Sequence, residues 1–132
     1  MPVLIDTNLI LDIVIDDPIW ASRADETLRV HGKQGVFINP IIYAELCTGA
    51  PTQTYVDEVM RDLKLDCWEI PRTGLWIAAK AYQLYRTRGG TKSAPLPDFF
   101  IGAHAEFLGC PILTRDLTRY RSYFPTVQLI TP

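Results

Sequence analysis

The chain is organised around an apolar run that ends in three small polar residues, Val3-Leu4-Ile5-Asp6-Thr7-Asn8. This run predicts a buried strand with Asp6 at its tip. The tip matters because, in open α/β sheets, the ligand crevice lies beyond the carboxyl ends of the parallel strands. A similar run, Pro111-Ile112-Leu113-Thr114, is followed by Arg115 and Asp116 near the other end of the chain. Two predicted strands therefore each present an aspartate.

Strands and helices alternate between these two runs, which predicts an α/β fold with a central, mainly parallel β-sheet flanked by helices on both faces. Further strands are predicted at Val36-Phe37-Ile38, Leu65 to Ile70 and Val127 to Ile130. Helices are predicted from Pro18, after the capping residue Asp17, to Gly32, from Pro40 to Thr48, from Thr52 to Lys64, from Thr73 to Arg88 and from Asp98 to Leu108. Leu9 to Val14 fits either a helix or a strand, and Thr91 to Pro97 is predicted to be a flexible flap.

Composition indicates one globular unit. The chain has 132 residues, of which 48% are hydrophobic and 21% charged, so we expect a single domain over residues 1–132. No apolar run approaches the roughly 20 residues of a membrane-spanning helix, and the start lacks a signal-peptide pattern, so a cytoplasmic protein is expected. Cys47, Cys67 and Cys110 are widely spaced, which predicts reduced, buried cysteines. Helical periodicity predicts that Tyr55 and Leu75 face inward.

Charge is unevenly distributed along the chain, whose formal net charge is −2. Residues 1–60 carry three basic and nine acidic residues, whereas residues 61–132 carry ten basic and six acidic residues. A basic half beside an acidic cluster is compatible with a phosphate-bearing polymer held near divalent cations. Solvated charges scattered over an ordinary surface would give the same totals.

Two further acids are predicted in helical settings. Glu45 falls in the second turn of the helix that Asn39 and Pro40 begin, and Asp98 opens a later helix. Carboxylates gathered at strand tips repel one another by about 3 kcal/mol per pair at about 5 Å, if the effective dielectric is about 20. Protons or cations must relieve this repulsion, and hard oxygen ligands favour Mg²⁺ or Mn²⁺.

Such a donor set predicts phosphodiester hydrolysis, since divalent ions can activate a water and stabilise the leaving oxygen. Thr7, Asn8 and Thr114 are predicted to support the acids by orienting coordinated waters.

Each acid also has a purely structural interpretation. Asp6 and Asp98 could cap the helices that follow them. Glu45 could pair with a basic residue of another helix, and Asp116 with the arginine that precedes it or with Arg119. Alone, each acid is ambiguous, whereas the set of four favours a metal site.

The chain closely resembles PIN-domain ribonucleases of the VapC toxin type over essentially its whole length. The residues that carry the resemblance are Asp6-Thr7-Asn8, Pro40, Ala44-Glu45-Leu46, Pro97-Asp98, Ile101-Gly102-Ala103-His104-Ala105, Leu113-Thr114-Arg115-Asp116, Tyr120, Tyr123-Phe124-Pro125 and Leu129-Ile130. The resemblance implies a PIN-like three-layer fold and an endoribonuclease that uses Mg²⁺ or Mn²⁺ bound by Asp6, Glu45, Asp98 and Asp116. It also implies a homodimer that a cognate antitoxin neutralises. Asn39 departs from the serine or threonine that relatives often carry six residues before the glutamate, but it also caps a helix.

Residues outside the acids carry further predictions. Candidate contacts to RNA phosphates are Arg86, Arg88, Lys92, Arg115 and Arg119. His104 is expected to pack within the protein rather than act as a catalytic base. The core or a dimer interface is expected to contain Trp20, Trp76, Tyr82 and Tyr85.

Three other classes of protein stay open at this point. A haloacid-dehalogenase-like phosphatase needs a second aspartate two residues after the first, where this chain has Asn8. A phosphoacceptor receiver module needs a lysine after its last active-site strand, where this chain has Arg115-Asp116. A catalytically silent PIN-like interaction module has no need of all four acids.

Overall fold

The computed structural model describes residues 1–93 and 96–132, in which five short strands form one sheet. The strands are β1 Val3–Ile5, β2 Val36–Ile38, β3 Leu65–Cys67, β4 Ile112–Leu113 and β5 Leu129–Ile130. All neighbours pair in parallel, in the order β3-β2-β1-β4-β5. The predicted parallel sheet is therefore confirmed, with β1 at its centre.

Helices flank this sheet, as the alternating pattern predicts. They are α1 Thr7–Val14, α2 Ala21–His31, α3 Pro40–Thr48, α4 Gln53–Asp62, α5 Arg72–Thr87, α6 Pro97–Leu108 and α7 Thr118–Tyr123. Helix α1 packs against α2, and α5 packs against α6. The strands β1, β2 and β4 are buried along their whole length, so the core lies on both faces of the sheet centre.

The order of the strands creates a crevice beside β1. The chain runs outward from β1 through β2 to β3 and then returns to β4 on the opposite side of β1. This reversal of direction is the topological switch point at which open α/β sheets bind their ligands. Asp6 follows β1 directly, so the fold places it at that point.

Local signals explain most helix boundaries. The ambiguous stretch after Asn8 is helical, and Asp6 caps it by accepting the N–H of Thr7. Asn39 caps α3 by accepting the N–H groups of Ile41 and Ile42, with Pro40 as the first helical residue. Gly109 ends α6 in the left-handed conformation, with φ of 68°.

The second helix begins later than the sequence predicts. It starts at Ala21 rather than Pro18, and residues 18–20 form a turn in which the Asp17 carboxylate accepts the N–H groups of Ile19 and Trp20, each at 2.9 Å. Asp17 therefore holds a turn that precedes the helix.

Three burial predictions are wrong. Tyr55 and Leu75 are exposed, whereas their helices bury Val56 and Ala78. In each helix several apolar neighbours compete for the inner face, and packing rather than periodicity decides between them. Cys67 is exposed because it lies on the edge strand β3. Part of the predicted flap, residues 94 and 95, lies outside the described residues.

Candidate active site

Parallel pairing brings the ends of β1 and β4 together at the switch point. Ile5 stands opposite Leu113, and the Asp6 N–H donates to the Leu113 carbonyl oxygen at 2.9 Å. Asp6 and Thr114, the residues that follow these strands, therefore lie side by side. Both are buried.

Asp6 is held by hydrogen bonds on both carboxylate oxygens. Oδ1 accepts the Thr7 N–H at 2.7 Å, and Oδ2 accepts the hydroxyl groups of Thr114 and Tyr120, each at 2.9 Å. Burial raises the pKa of Asp6; these hydrogen bonds oppose the rise, and the charge of Asp116 adds to it. Asp6 thus serves both as the helix cap and as a fixed acid in the crevice.

The three predicted supporting residues all contact the acids. The Thr7 hydroxyl donates to Glu45 Oε1 at 2.7 Å, and Thr114 donates to Asp6. Asn8 Nδ2 donates to Thr114 Oγ1 at 3.2 Å and lies 3.5 Å from Asp6 Oδ2. The side chains therefore form one connected network between β1, α3 and β4.

Glu45 reaches this network from helix α3. It is half-buried, and its partner is the hydroxyl of Thr7 across 38 residues of sequence. Among residues 1–93 and 96–132, the ion pairs do not include Glu45, so its predicted structural role as the partner of a basic residue is not supported.

Asp98 lies in the first turn of α6, one residue after the first helical residue Pro97. The residue at the cap position is Leu96, so the interpretation of Asp98 as an N-cap is wrong. Burial raises the pKa of Asp98 to about 6, and the charges of Asp6, Asp116 and Glu45 add to the rise while Arg119 opposes it. The negative charges of the other three acids therefore all act on Asp98.

Asp116 is exposed on the loop after β4, and its own N–H donates to Thr114 Oγ1 at 3.0 Å. Its predicted structural pairing with a neighbouring arginine does not occur. Arg115 forms a two-pronged ion pair with buried Asp12, at 2.7 and 2.9 Å, and Arg119 Nε lies 3.4 Å from Asp98 Oδ2. Asp116 is therefore left to face the crevice.

The donor chemistry of the four acids fits a hard divalent cation. In the described part of the chain, no three His, Cys, Asp or Glu side chains are grouped as an assembled metal site. Asp98 is nevertheless near the other acids: burial raises its pKa most, the charges of Asp6, Asp116 and Glu45 raise it further, and Arg119 opposes them. Carboxylate oxygens with excess negative charge at a sheet edge are the ligands that Mg²⁺ and Mn²⁺ prefer.

Sequence reasoning missed two contacts that hold the site. Tyr120 is fully buried and donates to Asp6, and the Asp12–Arg115 pair anchors the loop that carries Asp116. Neither contact can be read from the local sequence, because both depend on how α7 and α1 pack beside β1.

His104 has the packing role that the sequence predicts. It is buried, its Nδ1 lies 3.2 Å from Asn39 Nδ2, and burial lowers its pKa.

The candidate RNA-contacting residues fall into two groups. Four lie near the α5 and α7 side of the molecule: Arg86 donates to the Lys92 carbonyl, Arg88 lies over the ring of Tyr123, and Arg119 lies beside Asp98. Arg115 lies apart from them, against Trp20 and Asp12. Its guanidinium is largely occupied by the protein itself.

The chain belongs to the PIN-domain family, whose profile matches residues 3–123. Fold and site together thus define a PIN domain with its four acids at the switch point. No curated protein sequence matches the chain. Every helix within residues 1–93 and 96–132 is too short or too polar to cross a membrane.

Several solved structures share the fold across nearly the full length of both chains. VapBC2 from Rickettsia felis bound to a promoter DNA fragment has a TM-score of 0.76 at 15% identity, covering 99% of this chain and 98% of that one. A toxin-antitoxin complex from Klebsiella pneumoniae has a TM-score of 0.72 at 22% identity, covering 98% and 97%. FitAcB from Neisseria gonorrhoeae has a TM-score of 0.71 at 20% identity, covering 97% and 96%. At such identities the likeness extends to the fold.

Proposed function

We propose that this chain is a VapC-type toxin, a divalent-metal-dependent endoribonuclease that hydrolyses RNA phosphodiester bonds. The observation that supports the proposal is that Asp6 lies at the switch point of a PIN fold, with Glu45 of α3, Asp98 of α6 and Asp116 of the loop after β4 near enough for the charges of Asp6, Asp116 and Glu45 all to act on Asp98. PIN domains are in general nucleases, and this chain retains all four acids. A catalytically silent module would gain nothing from holding Asp98 where burial, and then the charges of the other acids, raise its pKa.

In this proposal, Asp6, Glu45, Asp98 and Asp116 hold Mg²⁺ or Mn²⁺. The bound ion supplies an activated water and stabilises the charge on the leaving oxygen. The hydroxyls of Thr114 and Tyr120 fix the Asp6 carboxylate, and the Thr7 hydroxyl fixes Glu45, so that these oxygens are oriented before substrate arrives.

A phosphatase of the haloacid-dehalogenase type is not favoured by the site. The residue two positions after Asp6 is Asn8, whose amide donates to Thr114 and whose Oδ1 accepts the Arg115 N–H. An amide locked in this way cannot serve as the general acid that such an enzyme needs.

A cognate antitoxin is the proposed protein partner. Its support is that neighbours in fold were solved as VapBC or toxin-antitoxin complexes. A groove of about 280 Å³ between α1, α3 and α4 gives such a partner an apolar surface, with Leu11, Val14, Tyr55 and Val59 in its lining. We expect Leu11→Asp, at an exposed residue of the groove, to prevent co-purification with the co-expressed antitoxin, whereas Val30→Asp, at an exposed residue of α2 outside the groove, should not. Equal recovery with both variants would contradict this surface.

Dimerisation, which rests on the family resemblance, completes the proposal together with a single domain over residues 1–132 and action in the cytoplasm, which rest on the length and patterning of the sequence. Light scattering of the purified chain tests the dimer, and a strictly monomeric mass would overturn that part.

The decisive experiment is cleavage of a mixed RNA pool by wild type and Asp116→Asn, each with Mg²⁺, Mn²⁺ or EDTA. We expect cleavage by wild type with either metal, and loss with EDTA or with Asp116→Asn. The matched control is Asp66→Asn, an exposed acid on the edge strand β3, which should cleave like wild type. Intact RNA with folded, antitoxin-free wild type and both metals would overturn the proposed activity.

A further inference from the structure

Beside the four acids lies a cluster of aromatic rings from three helices. Tyr85 of α5, Phe99 of α6 and Tyr123 of α7 contact one another edge to face, with ring centroids 5.4 to 6.2 Å apart. Phe99 is fully buried and directly follows Asp98. The cluster therefore forms a rigid wall that begins at the acids and extends away from them.

Two arginines lie against this aromatic wall. The Arg119 guanidinium carbon is 5.3 Å from the centroid of the Tyr85 ring and 5.4 Å from that of Phe99, and the Arg88 guanidinium carbon is 5.3 Å from that of Tyr123. A ring under a guanidinium restricts its motion, so its N–H edges are preorganised for a planar, bidentate acceptor such as phosphate.

The charges of these arginines are only partly used by the protein. Arg88 is exposed, donates to the Ser122 carbonyl at 3.3 Å, and forms no ion pair within residues 1–93 and 96–132. Arg119 has its single ion pair with Asp98 at 3.4 Å, and its Nη1 is buried without a hydrogen-bond partner among the same residues, but 29% of its side chain is exposed. The exposed N–H groups of Arg88 and the exposed part of the Arg119 guanidinium are therefore the donors available along the wall.

A cleft joins Arg119 to two of the acids. It has a volume of about 300 Å³, and Asp98, Asp116, Arg119 and Tyr123 all line it. Arg88 lies outside this lining, against Tyr123 and the Ser122 carbonyl. A polyanion that places one phosphate at the carboxylates can therefore run along the cleft toward Arg119 and, past Tyr123, reach Arg88.

We propose that this cleft, together with Arg88 beyond its Tyr123 edge, is an RNA subsite in which Arg119 and then Arg88 bind successive phosphates on one side of the scissile bond. The proposal rests on the proposed nuclease function and adds to it the direction in which the strand leaves the acids. The subsite would bind the RNA backbone rather than the bases. The N–H edges of the two guanidinium groups suit phosphate oxygens, and the guanidinium groups already cover the ring faces on which a base could stack.

The test measures binding separately from cleavage. Binding of a fluorescent single-stranded RNA oligonucleotide is followed by anisotropy in the Asp116→Asn background over a range of salt concentrations. Adding Arg88→Gln should weaken binding by about three- to tenfold and reduce the salt slope by about 0.7, the value for one lost phosphate contact on a single strand. Arg29→Gln, an exposed arginine of α2 paired with Glu26, is the matched control and should bind like its parent.

Neutral phosphates locate the contact. A series of oligonucleotides is made in which one phosphate, at a different position in each, is replaced by a neutral methylphosphonate. At one position this replacement should weaken binding to the parent Asp116→Asn protein but not to the protein that also carries Arg88→Gln. An unchanged dissociation constant and salt slope for Arg88→Gln, or equal sensitivity of both proteins at every linkage, would overturn the subsite. Either result would leave the nuclease function standing if Asp116→Asn still abolishes cleavage. Failure of the proposed subsite can therefore be distinguished from failure of the proposed nuclease function.

Discussion

Replacing Asp98 by asparagine should stabilise the metal-free protein above pH 6 while it abolishes cleavage. In the folded chain the pKa of Asp98 is raised from 3.8 to about 6, chiefly by burial and then by the charges of Asp6 and Asp116. Between these two values the folded chain binds the proton that the unfolded chain releases. The free energy of unfolding therefore falls as pH rises through this window, and the loss is complete above pH 6.

The size of the effect follows from the shift. A pKa change of about 2 units corresponds to about 3 kcal/mol. Because 30% of the Asp98 side chain is exposed, solvent screening reduces this to about 2 kcal/mol. Asparagine also forgoes the favourable interaction of a carboxylate with the helix N-terminus, worth up to about 1 kcal/mol. The expected net gain at about pH 7.5 is about 1 kcal/mol, or about 3 to 5 °C in melting temperature.

Thermal unfolding in EDTA at about pH 7.5 and about pH 3 tests this expectation, because the gain should largely vanish below the unfolded-state pKa of 3.8, where the wild-type carboxyl is protonated in both states. Asp25→Asn, an exposed acid of α2, serves as the control for a general change in charge. Added Mn²⁺ should raise the melting temperature of wild type more than that of Asp98→Asn. A melting temperature below that of wild type at the higher pH, or an equal gain at both values, would refute the reasoning.

Three further variants test the contacts around the site. Arg115→Ala leaves buried Asp12 without its partner and should lower the free energy of unfolding, measured in urea, by about 2 kcal/mol. This loss is smaller than that for a fully buried pair because a third of the arginine side chain is exposed, and an unchanged urea midpoint would contradict the pairing. Tyr120→Phe removes the hydroxyl that donates to the Asp6 carboxylate and should lower the free energy of unfolding in urea by about 1.5 to 3 kcal/mol. An unchanged midpoint would show that the protein does not form this hydrogen bond in solution. Gly102→Ala puts a methyl group 2.3 Å from the ring of Phe124 and should destabilise by about 1 to 3 kcal/mol, so a variant as stable as wild type would show that α6 and the ring can separate freely.

Local interactions account for what could be predicted. The strand before Asp6, the cap and proline that begin α3, and the glycine that ends α6 each depend on neighbours within a few residues. The parallel sheet followed from the alternation of such elements. Errors arose where one helix offered two apolar faces: the sequence alone could not choose between Tyr55 and Val56, because the choice depends on what packs against α4.

The sequence by itself therefore determined the α/β class, the position of Asp6 at a strand tip and the set of four acids that marks the family. Only the tertiary structure decided which partner each charged group takes. Arg115 and Asp12 are 103 residues apart, and Tyr120 and Asp6 are 114 apart. Such pairings are not encoded in local propensity, because the packing of α1 and α7 at the switch point selects among many possible partners. Packing likewise half-buries Asp98 near the other acids, and this burial, followed by their charges, raises its pKa to about 6.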